Sequence, residues 1–311
     1  MTALQVALEF AIFVVLGLFI VRIGLVGPDF RVQLAKYVTN VALPCMIART
    51  LYAQTDRFTG VGRVLVLAVT TIALLLLAGE LVYLLSGKSE AGKSARFSMA
   101  FGNFTFMGFP VVENLFGAQG LFVFTLFTVP VRPIFYSLPG ILLRPAGAEA
   151  KKLSFRELMK LIFSPPVVAV LVGLALHLGH VQPPLFLDKA VQALGSTASV
   201  LGMLLVGMGM AGISGKTLWQ RRSALLIVLT KAILSPLLML GLFLLFPMDP
   251  ESKKVLFMYG AVPVPSLLTA FSYNNGRSEE ACEEASAAVL LSTLLSVVTL
   301  PVWAMIGERV F

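Results

Sequence analysis

Apolar stretches long enough to cross a lipid bilayer recur from one end of this chain to the other. A membrane-spanning helix needs about twenty mostly apolar residues, whereas the strands of a membrane barrel alternate in polarity over about ten. Hydrophobic residues make up 58% of the chain and charged residues only 13%, well below the charged fraction of about a quarter in soluble domains. The sequence therefore predicts an all-α integral membrane protein with no sizeable soluble domain.

Ten membrane-spanning helices are expected at about twenty residues per crossing. They lie near residues 3–26, 32–53, 61–86, 94–116, 119–143, 161–181, 188–213, 222–246, 253–274 and 283–307. Lysine and arginine are concentrated in alternate loops, which the positive-inside rule assigns to the cytoplasm. This topology makes a multi-pass protein of the cell membrane with both termini outside. The net charge of +8 reflects this loop bias, and the scattered basic residues do not indicate a nucleic-acid partner.

The longest loop, around residues 145–160, divides the ten predicted spans into five and five. Because each half has an odd number of crossings, the second half enters the membrane in the opposite orientation to the first. The sequence therefore predicts two inverted five-helix repeats, residues 1–145 and 146–311, within one membrane domain.

The fourth span of each half carries the same kind of interruption, over residues 102–110 and 260–265. Proline removes a backbone donor and frees a carbonyl, and such groups persist at membrane depth only inside protein or beside water. Matching broken spans in two halves are typical of a secondary transporter's binding site, where half-helix ends bind ions. We expect the two breaks to cross near the midplane. The residues assigned to the breaks are Gly102, Gly108, Pro110, Gly260, Pro263 and Pro265.

Uncharged polar side chains accompany both breaks. Asn103 and Thr105 lie in the first, and Ser266 follows the second. These groups offer hydrogen-bond donors and acceptors to a polar ligand, or alternatively satisfy the freed backbone, as serine and threonine do in kinked membrane helices.

Three ionisable residues lie well inside predicted spans, where a charge is costly. Arg132 keeps its proton and needs an anion or water, so we expect it and Tyr136, one turn further on, to meet a substrate carboxylate. The alternative is an internal pair with Glu113, which is otherwise a candidate proton carrier. Lys231 is either a fixed cation near the crossing or a side chain that extends to the cytoplasmic face.

The motifs around the first break carry a family resemblance. Residues 103–110, with Glu113-Asn114-Leu115-Phe116-Gly117 after them, resemble the Asn-Thr-x-x-x-Gly-x-Pro-x-x-x-x-x-x-Gly pattern of the auxin efflux carrier family. Further similar stretches are residues 41–44, residues 164–169 with Gly173-Leu174, and Pro301. Together they cover essentially the whole chain. This family includes plant PIN-type exporters and bacterial dicarboxylate carriers.

The resemblance implies a sodium/proton-antiporter-like fold of ten helices, in which a transport domain moves against a scaffold like an elevator. It places the site at the crossing prolines, here Pro110 and Pro265, with Asn103 contacting an organic anion. Phe104 stands where the pattern has threonine, Glu113 stands where plant members often have lysine, and the long loop of many plant members is missing. These departures favour a bacterial-type carrier.

We therefore expect a secondary active transporter that carries mono- or dicarboxylates by alternating access, and not an enzyme. A sodium-coupled bile-acid-type symporter is the alternative, but it would need more oxygen ligands for sodium than Glu113 provides. A channel and an intramembrane hydrolase are further alternatives. No His-Glu-x-x-His or Gly-x-Ser-x-Gly motif is present, so no catalytic residue, metal or cofactor is expected. The substrate, the direction of transport, the coupling ion and a homodimeric assembly stay open.

Overall fold

The computed structural model describes residues 3–53, 60–145, 163–211 and 222–311. Every regular element in these ranges is helical, which confirms the predicted all-α class for this part of the chain. The α-helices are α1 (Ala3–Arg22), α2 (Pro28–Tyr37), α3 (Leu43–Tyr52), α4 (Val61–Leu85), α5 (Glu90–Ala100), α6 (Phe109–Ser137), α7 (Pro139–Leu142), α8 (Pro165–Leu178), α9 (Leu185–Met210), α10 (Ala224–Leu229), α11 (Ser235–Leu245), α12 (Pro250–Ala261), α13 (Leu268–Asn274) and α14 (Glu279–Val310). Three π-helical turns adjoin them: π1 (Val38–Ala42), π2 (Phe104–Gly108) and π3 (Thr230–Leu234).

Five helical stretches among the described residues are long and apolar enough to cross a membrane. They are Val61–Leu85, Glu90–Ser137, Leu185–Met210, Ala224–Leu245 and Glu279–Val310. The shorter apolar helix α8 has 14 residues. The ten-span count and the inverted repeat stay predictions, and the loop proposed to divide the two halves falls almost entirely outside the described ranges.

The second of these stretches contains the fourth predicted span and most of the fifth, which is predicted to run to residue 143. Its chain bends at Gly117, whose φ of 63° and ψ of −160° are not helical. This backbone region is open essentially to glycine alone. The predicted boundary at 116–119 therefore corresponds to a kink inside α6 and not to a loop.

The helices pack as two groups. In the first, α1 lies along α9, and α3 packs against both α8 and α9. Gly17 and Gly207 allow the backbones of α1 and α9 to approach closely, as small residues do between membrane helices. The second group contains α4, α5, α6 and α10 to α14, with α4 against α5 and α6, and α12 against α6 and α14. Both sequence interruptions lie in this second group.

A cluster of charges joins the start of α5 to the segment after α13. Glu90 forms ion pairs with Lys93 and with Arg277. Arg277 also donates to the Ser94 and Ser272 hydroxyls, at 2.8 and 3.0 Å. We call these five residues the ion-pair cluster. This cluster shows that the fold can give a buried cation hydrogen-bond acceptors.

Candidate functional site

Both predicted spans are broken. The first break is a non-helical segment at residues 101–103, between the end of α5 and the start of π2. Helix α12 ends at Ala261, and regular helix resumes only at Leu268. Prolines at 263 and 265 account for the second break, since a residue that precedes proline is sterically driven to extended conformations. Val262, before the first of them, is extended.

The limits of the breaks differ from the expectation. Of the six residues assigned to them, only Gly102, Pro263 and Pro265 lie in non-helical segments. Gly108 ends π2 and Gly260 lies within α12, so neither interrupts a helix. Pro110 occupies the first turn of α6. A proline is tolerated there because the missing N–H would have no intrahelical partner.

The two breaks lie directly against each other. The Asn103 backbone N–H donates to the Pro263 carbonyl oxygen over 2.8 Å. Next to this bond, a Cβ atom placed on Gly102 would lie 2.4 Å from Val262 Cγ2. Only glycine permits so close an approach. We refer to this contact between residues 101–103 and 262–267 as the crossing.

Hydroxyl groups from neighbouring helices satisfy backbone groups that the breaks leave open. Ser235 Oγ donates to Met99 O at 3.1 Å, Tyr259 OH donates to Ala100 O at 2.9 Å, and Ser292 Oγ accepts the Val264 N–H at 3.2 Å. Sequence reasoning did not single out these hydroxyl residues. Two of them could have been found, because Tyr259 adjoins Gly260 and Ser235 adjoins Pro236.

Asn103 has one satisfied and one free end. Its Oδ1 accepts the Phe106 N–H at 3.3 Å and so caps the turn π2. Its Nδ2 is buried and has no hydrogen-bond partner among the described residues. A buried donor without a partner costs about 1–3 kcal/mol. The oxygen therefore supports the backbone, and the amide nitrogen is available to an acceptor from outside.

Arg132 lies on α6 and is only 3% exposed. Its guanidinium carbon lies 5.3 Å from the ring centroids of both Phe104 and Phe109. These aromatic rings stabilise the cation but do not accept its N–H hydrogen bonds, and Nη2 has no hydrogen-bond partner within the described residues. Among the described residues Arg132 and Glu113 form no ion pair, and the Glu113 carboxylate instead accepts a hydrogen bond from Ser199 on α9.

Lys231 lies in π3 and has no exposed surface. Its Nζ lies 3.4 Å from Ser235 Oγ and 5.6 Å from the centroid of the Tyr259 ring. A Cβ atom on Gly102 would lie 3.1 Å from this nitrogen. The side chain thus faces the crossing and does not extend to the cytoplasmic face. Within the described ranges it forms no ion pair.

Two aromatic rings separate the buried cations. Phe104, beside Arg132, and Tyr259, beside Lys231, have ring centroids 6.1 Å apart. Tyr136 is half-buried and packs edge-on against Phe135, at 4.9 Å between centroids. The other predicted ligand residues, Thr105 and Ser266, are also half-buried within or beside the breaks.

A cavity of about 410 Å³ lies at the other end of α5. Its lining includes Glu90, Glu280 and Glu284, together with serines at helix starts. Three carboxylates make this cavity unfavourable for an anion, whereas the crossing holds two cations and a free amide. The crossing is therefore the better candidate for an anion site. In the parts of the chain that the structure describes, no group of three or more His, Cys, Asp or Glu residues could hold a metal ion.

Comparisons with known proteins agree with this architecture. A family described as "Membrane transport protein" matches residues 4–304. An uncharacterized transporter of Methanothermobacter thermautotrophicus is 24% identical over 310 residues, covering 98% of this chain and 99% of the relative. The resemblance to the auxin efflux carrier family is thereby confirmed, and lipid and a small transported solute are the partners that such a protein requires. The chain belongs to the membrane transport protein family, which includes the auxin efflux carriers, and is a multi-pass membrane transporter.

Proposed function

We propose that this protein is a secondary active transporter that carries organic carboxylate anions across the cytoplasmic membrane by alternating access. The observation that carries the proposal is the buried Nη2 of Arg132, which has no hydrogen-bond partner among the described residues. Arg132 lies on α6, the helix that follows the first break, and Asn103 in that break has a free amide nitrogen at the crossing. A carboxylate has two oxygens that suit a guanidinium in bidentate geometry. An entering anion would therefore offset a cost that the protein bears when the site is empty.

The substrate would extend from these buried groups toward the half-buried ones. Arg132 and Asn103 would hold the carboxylate, and Thr105, Tyr136 and Ser266 would contact the rest of the molecule. Lys231 would supply a second positive charge from the opposite side of the Phe104 and Tyr259 rings. In this conformation both cations are closed to solvent, so binding requires a movement that opens the crossing.

We further propose that ten spans form two inverted repeats, residues 1–145 and 146–311, with both termini outside. The group containing α1, α3, α8 and α9 would be the scaffold, and the group that contains the crossing would move against it like an elevator. Such a movement would exchange the contacts that α1, α3 and α9 make with α14, α6 and π2. They include the Ser199–Glu113 hydrogen bond and the approach of Gly202 to the Phe106 carbonyl oxygen.

A binding screen followed by reconstitution tests the proposal. Purified protein is heated with mono- and dicarboxylates, with and without sodium, at two pH values, and stabilising anions are then assayed in liposomes. We expect saturable counterflow, which a carrier shows and a channel does not. Uptake that rises linearly with concentration would contradict a carrier, and an absolute sodium requirement would favour the bile-acid-type alternative.

A further inference from the structure

Lys231 differs from the other buried cations of the described chain. Lys93 is 4% exposed and Arg277 is 6% exposed, yet both form ion pairs with Glu90. Arg132 lacks such a partner, but a guanidinium keeps its proton at any physiological pH. Lysine is chemically different, because an amine is a stable neutral group. Among the described residues, Lys231 is thus a buried, unpaired cation that can release a proton.

The surroundings of Lys231 give an ammonium group little support. An ammonium has three N–H donors, and the described part of the chain offers it one acceptor, Ser235 Oγ, at a long 3.4 Å. The nearby Met99 and Ala100 carbonyls already accept hydrogen bonds from the hydroxyls of Ser235 and Tyr259. A charge buried without a partner costs several kcal/mol. The empty site therefore favours the amine.

Among the residues that the structure describes, the groups that face Lys231 from the neighbouring helices are neutral. Tyr259 of α12 is the titratable one, α5 contributes carbonyl oxygens, and on α14 the Trp303 indole donates to Ala232 O at 2.9 Å. The charged residues of these helices lie at other positions along them, and Arg96, in the middle of α5, forms an ion pair with Glu80. They are Glu90, Lys93 and Arg96 on α5, Glu251, Lys253 and Lys254 on α12, and Glu279, Glu280, Glu283, Glu284, Glu308 and Arg309 on α14.

We propose that Lys231 carries the proton that accompanies each anion through the transport cycle. This inference rests on the proposed function. In the empty carrier the side chain is the amine. When an anion enters beside Arg132 and Asn103, a proton from the same aqueous side binds the lone pair of Nζ, so that amine, proton and anion become an ammonium–anion pair. On the opposite side the anion leaves and the proton follows it.

Charge balance supports one proton per anion. A monocarboxylate and one proton leave the net charge of the site unchanged, so the loaded and empty carriers face the same electrostatic barrier in the membrane. A dicarboxylate with one proton moves one negative charge. The two substrate classes are therefore distinguished by their response to membrane potential.

The test uses purified protein in liposomes with [14C]succinate, which crosses lipid poorly at neutral pH, and with the potential clamped by valinomycin and equal potassium. For the wild type we expect an outside pH one unit lower to drive up to about tenfold accumulation, the limit for one coupled proton. A dye inside the liposomes should report acidification when succinate is added at equal pH. Protein-free liposomes are the blank.

Lys231→Arg fixes the positive charge, so we expect accumulation driven by pH, measured relative to the succinate counterflow of the same variant, to be lost. Lys93→Arg is the matched control, because that lysine is equally buried but paired in the ion-pair cluster, and it should behave as wild type. If Lys231→Arg does not fold, Lys231→Gln is measured for the loss of succinate-linked acidification.

Three outcomes separate this inference from the function on which it rests. Wild-type succinate uptake that ignores the pH gradient and causes no acidification overturns the proton role while leaving the carrier intact. Accumulation by Lys231→Arg at the wild-type level overturns the assignment to Lys231. Absence of wild-type uptake above the protein-free blank overturns the proposed carboxylate transport itself, and the proton role with it.

Discussion

The two ends of α5 differ in the hydrogen-bond partners that they give to buried basic side chains. At its start, Arg277 of the ion-pair cluster donates to the Glu90 carboxylate, the Glu90 carbonyl oxygen and two serine hydroxyls, at 2.8–3.0 Å. At its end lies the crossing, where Lys231 has one long contact and the Nη2 of Arg132 has none. The basic side chains are similarly buried at both ends, so it is their hydrogen-bond partners that differ.

This difference separates structural charge from functional charge. The fold can enclose a guanidinium that donates four hydrogen bonds, as the ion-pair cluster demonstrates. The lack of acceptors around Arg132 and Lys231 at the crossing is therefore specific to that region and not a general property of the chain. A buried charge that lacks a partner in the empty state is suited to a partner that arrives and leaves.

Replacing Arg132 with methionine should have the largest effect on transport. A buried charge pair contributes roughly 2–5 kcal/mol to binding, so we expect carboxylate uptake to fall by about a hundredfold or more. Stability should be unchanged or higher, because an unpaired buried charge is removed. Counterflow in liposomes and the thermal midpoint in detergent measure the two quantities. A loss of stability that accompanies the loss of uptake would mean that Arg132 is structural.

Arg277→Met is the matched change at the other end of α5, and its effects should be reversed. Removing the guanidinium leaves the Ser94 and Ser272 hydroxyls without this donor and leaves Glu90 with Lys93 alone, so we expect the free energy of unfolding to fall by about 3 kcal/mol. Uptake per folded molecule should stay within about twofold of wild type, since this residue lies outside the crossing. Denaturation in detergent and uptake normalised to folded protein check these values. If the variant is as stable as wild type, the ion-pair cluster does not stabilise the fold, and the contrast between the two ends of α5 is contradicted.

Gly102→Ala tests the closeness of the crossing. Its Cβ atom would lie 2.4 Å from Val262 Cγ2 and 3.1 Å from Lys231 Nζ, so the breaks would have to separate. We expect a loss of about 1–3 kcal/mol in stability, typical of overpacking, and a larger fractional loss of uptake. Thermal midpoint and counterflow are again the measurements.

Gly241→Ala provides the control for this change. Gly241 lies within α11, and no atom lies within 4 Å of a Cβ placed on it. Alanine is the better helix former by about 1 kcal/mol, so this variant should be at least as stable as wild type. If both alanine variants behave alike, the close approach at Gly102 has no special role.

The helices and the presence of two breaks could be predicted from the sequence because their signals are local. Apolar length identifies a span, and a cluster of glycine and proline marks an interruption. The position of the first break could not be predicted from Pro110, because a proline in the first turn of a helix leaves that helix intact. The boundary assigned at 116–119 likewise could not distinguish a loop from a kink at Gly117.

Side-chain partners were harder to predict because they depend on how distant segments pack. Glu113 and Ser199 are 86 residues apart, and nothing in the sequence near either residue indicates their hydrogen bond. Burial of Lys231 beside Gly102 follows in the same way from the packing of π3 against the end of α5. The sequence identified Glu113, Arg132 and Lys231 as candidates. Only the fold shows that Glu113 has a hydrogen-bond partner, whereas the two basic residues lack an ion pair in the described part of the chain.

Glu113→Gln should have the smallest effect and should decide between two carriers of the proton. Glutamine keeps an oxygen that can accept from the Ser199 hydroxyl but cannot bind a proton in the physiological range. Because we assign the proton to Lys231, succinate accumulation driven by a pH gradient should persist in this variant, with stability within about 1 kcal/mol of wild type. If that accumulation disappears in Glu113→Gln while counterflow continues, the carboxylate is the proton carrier. The unpaired cations of the crossing would then serve anion binding alone.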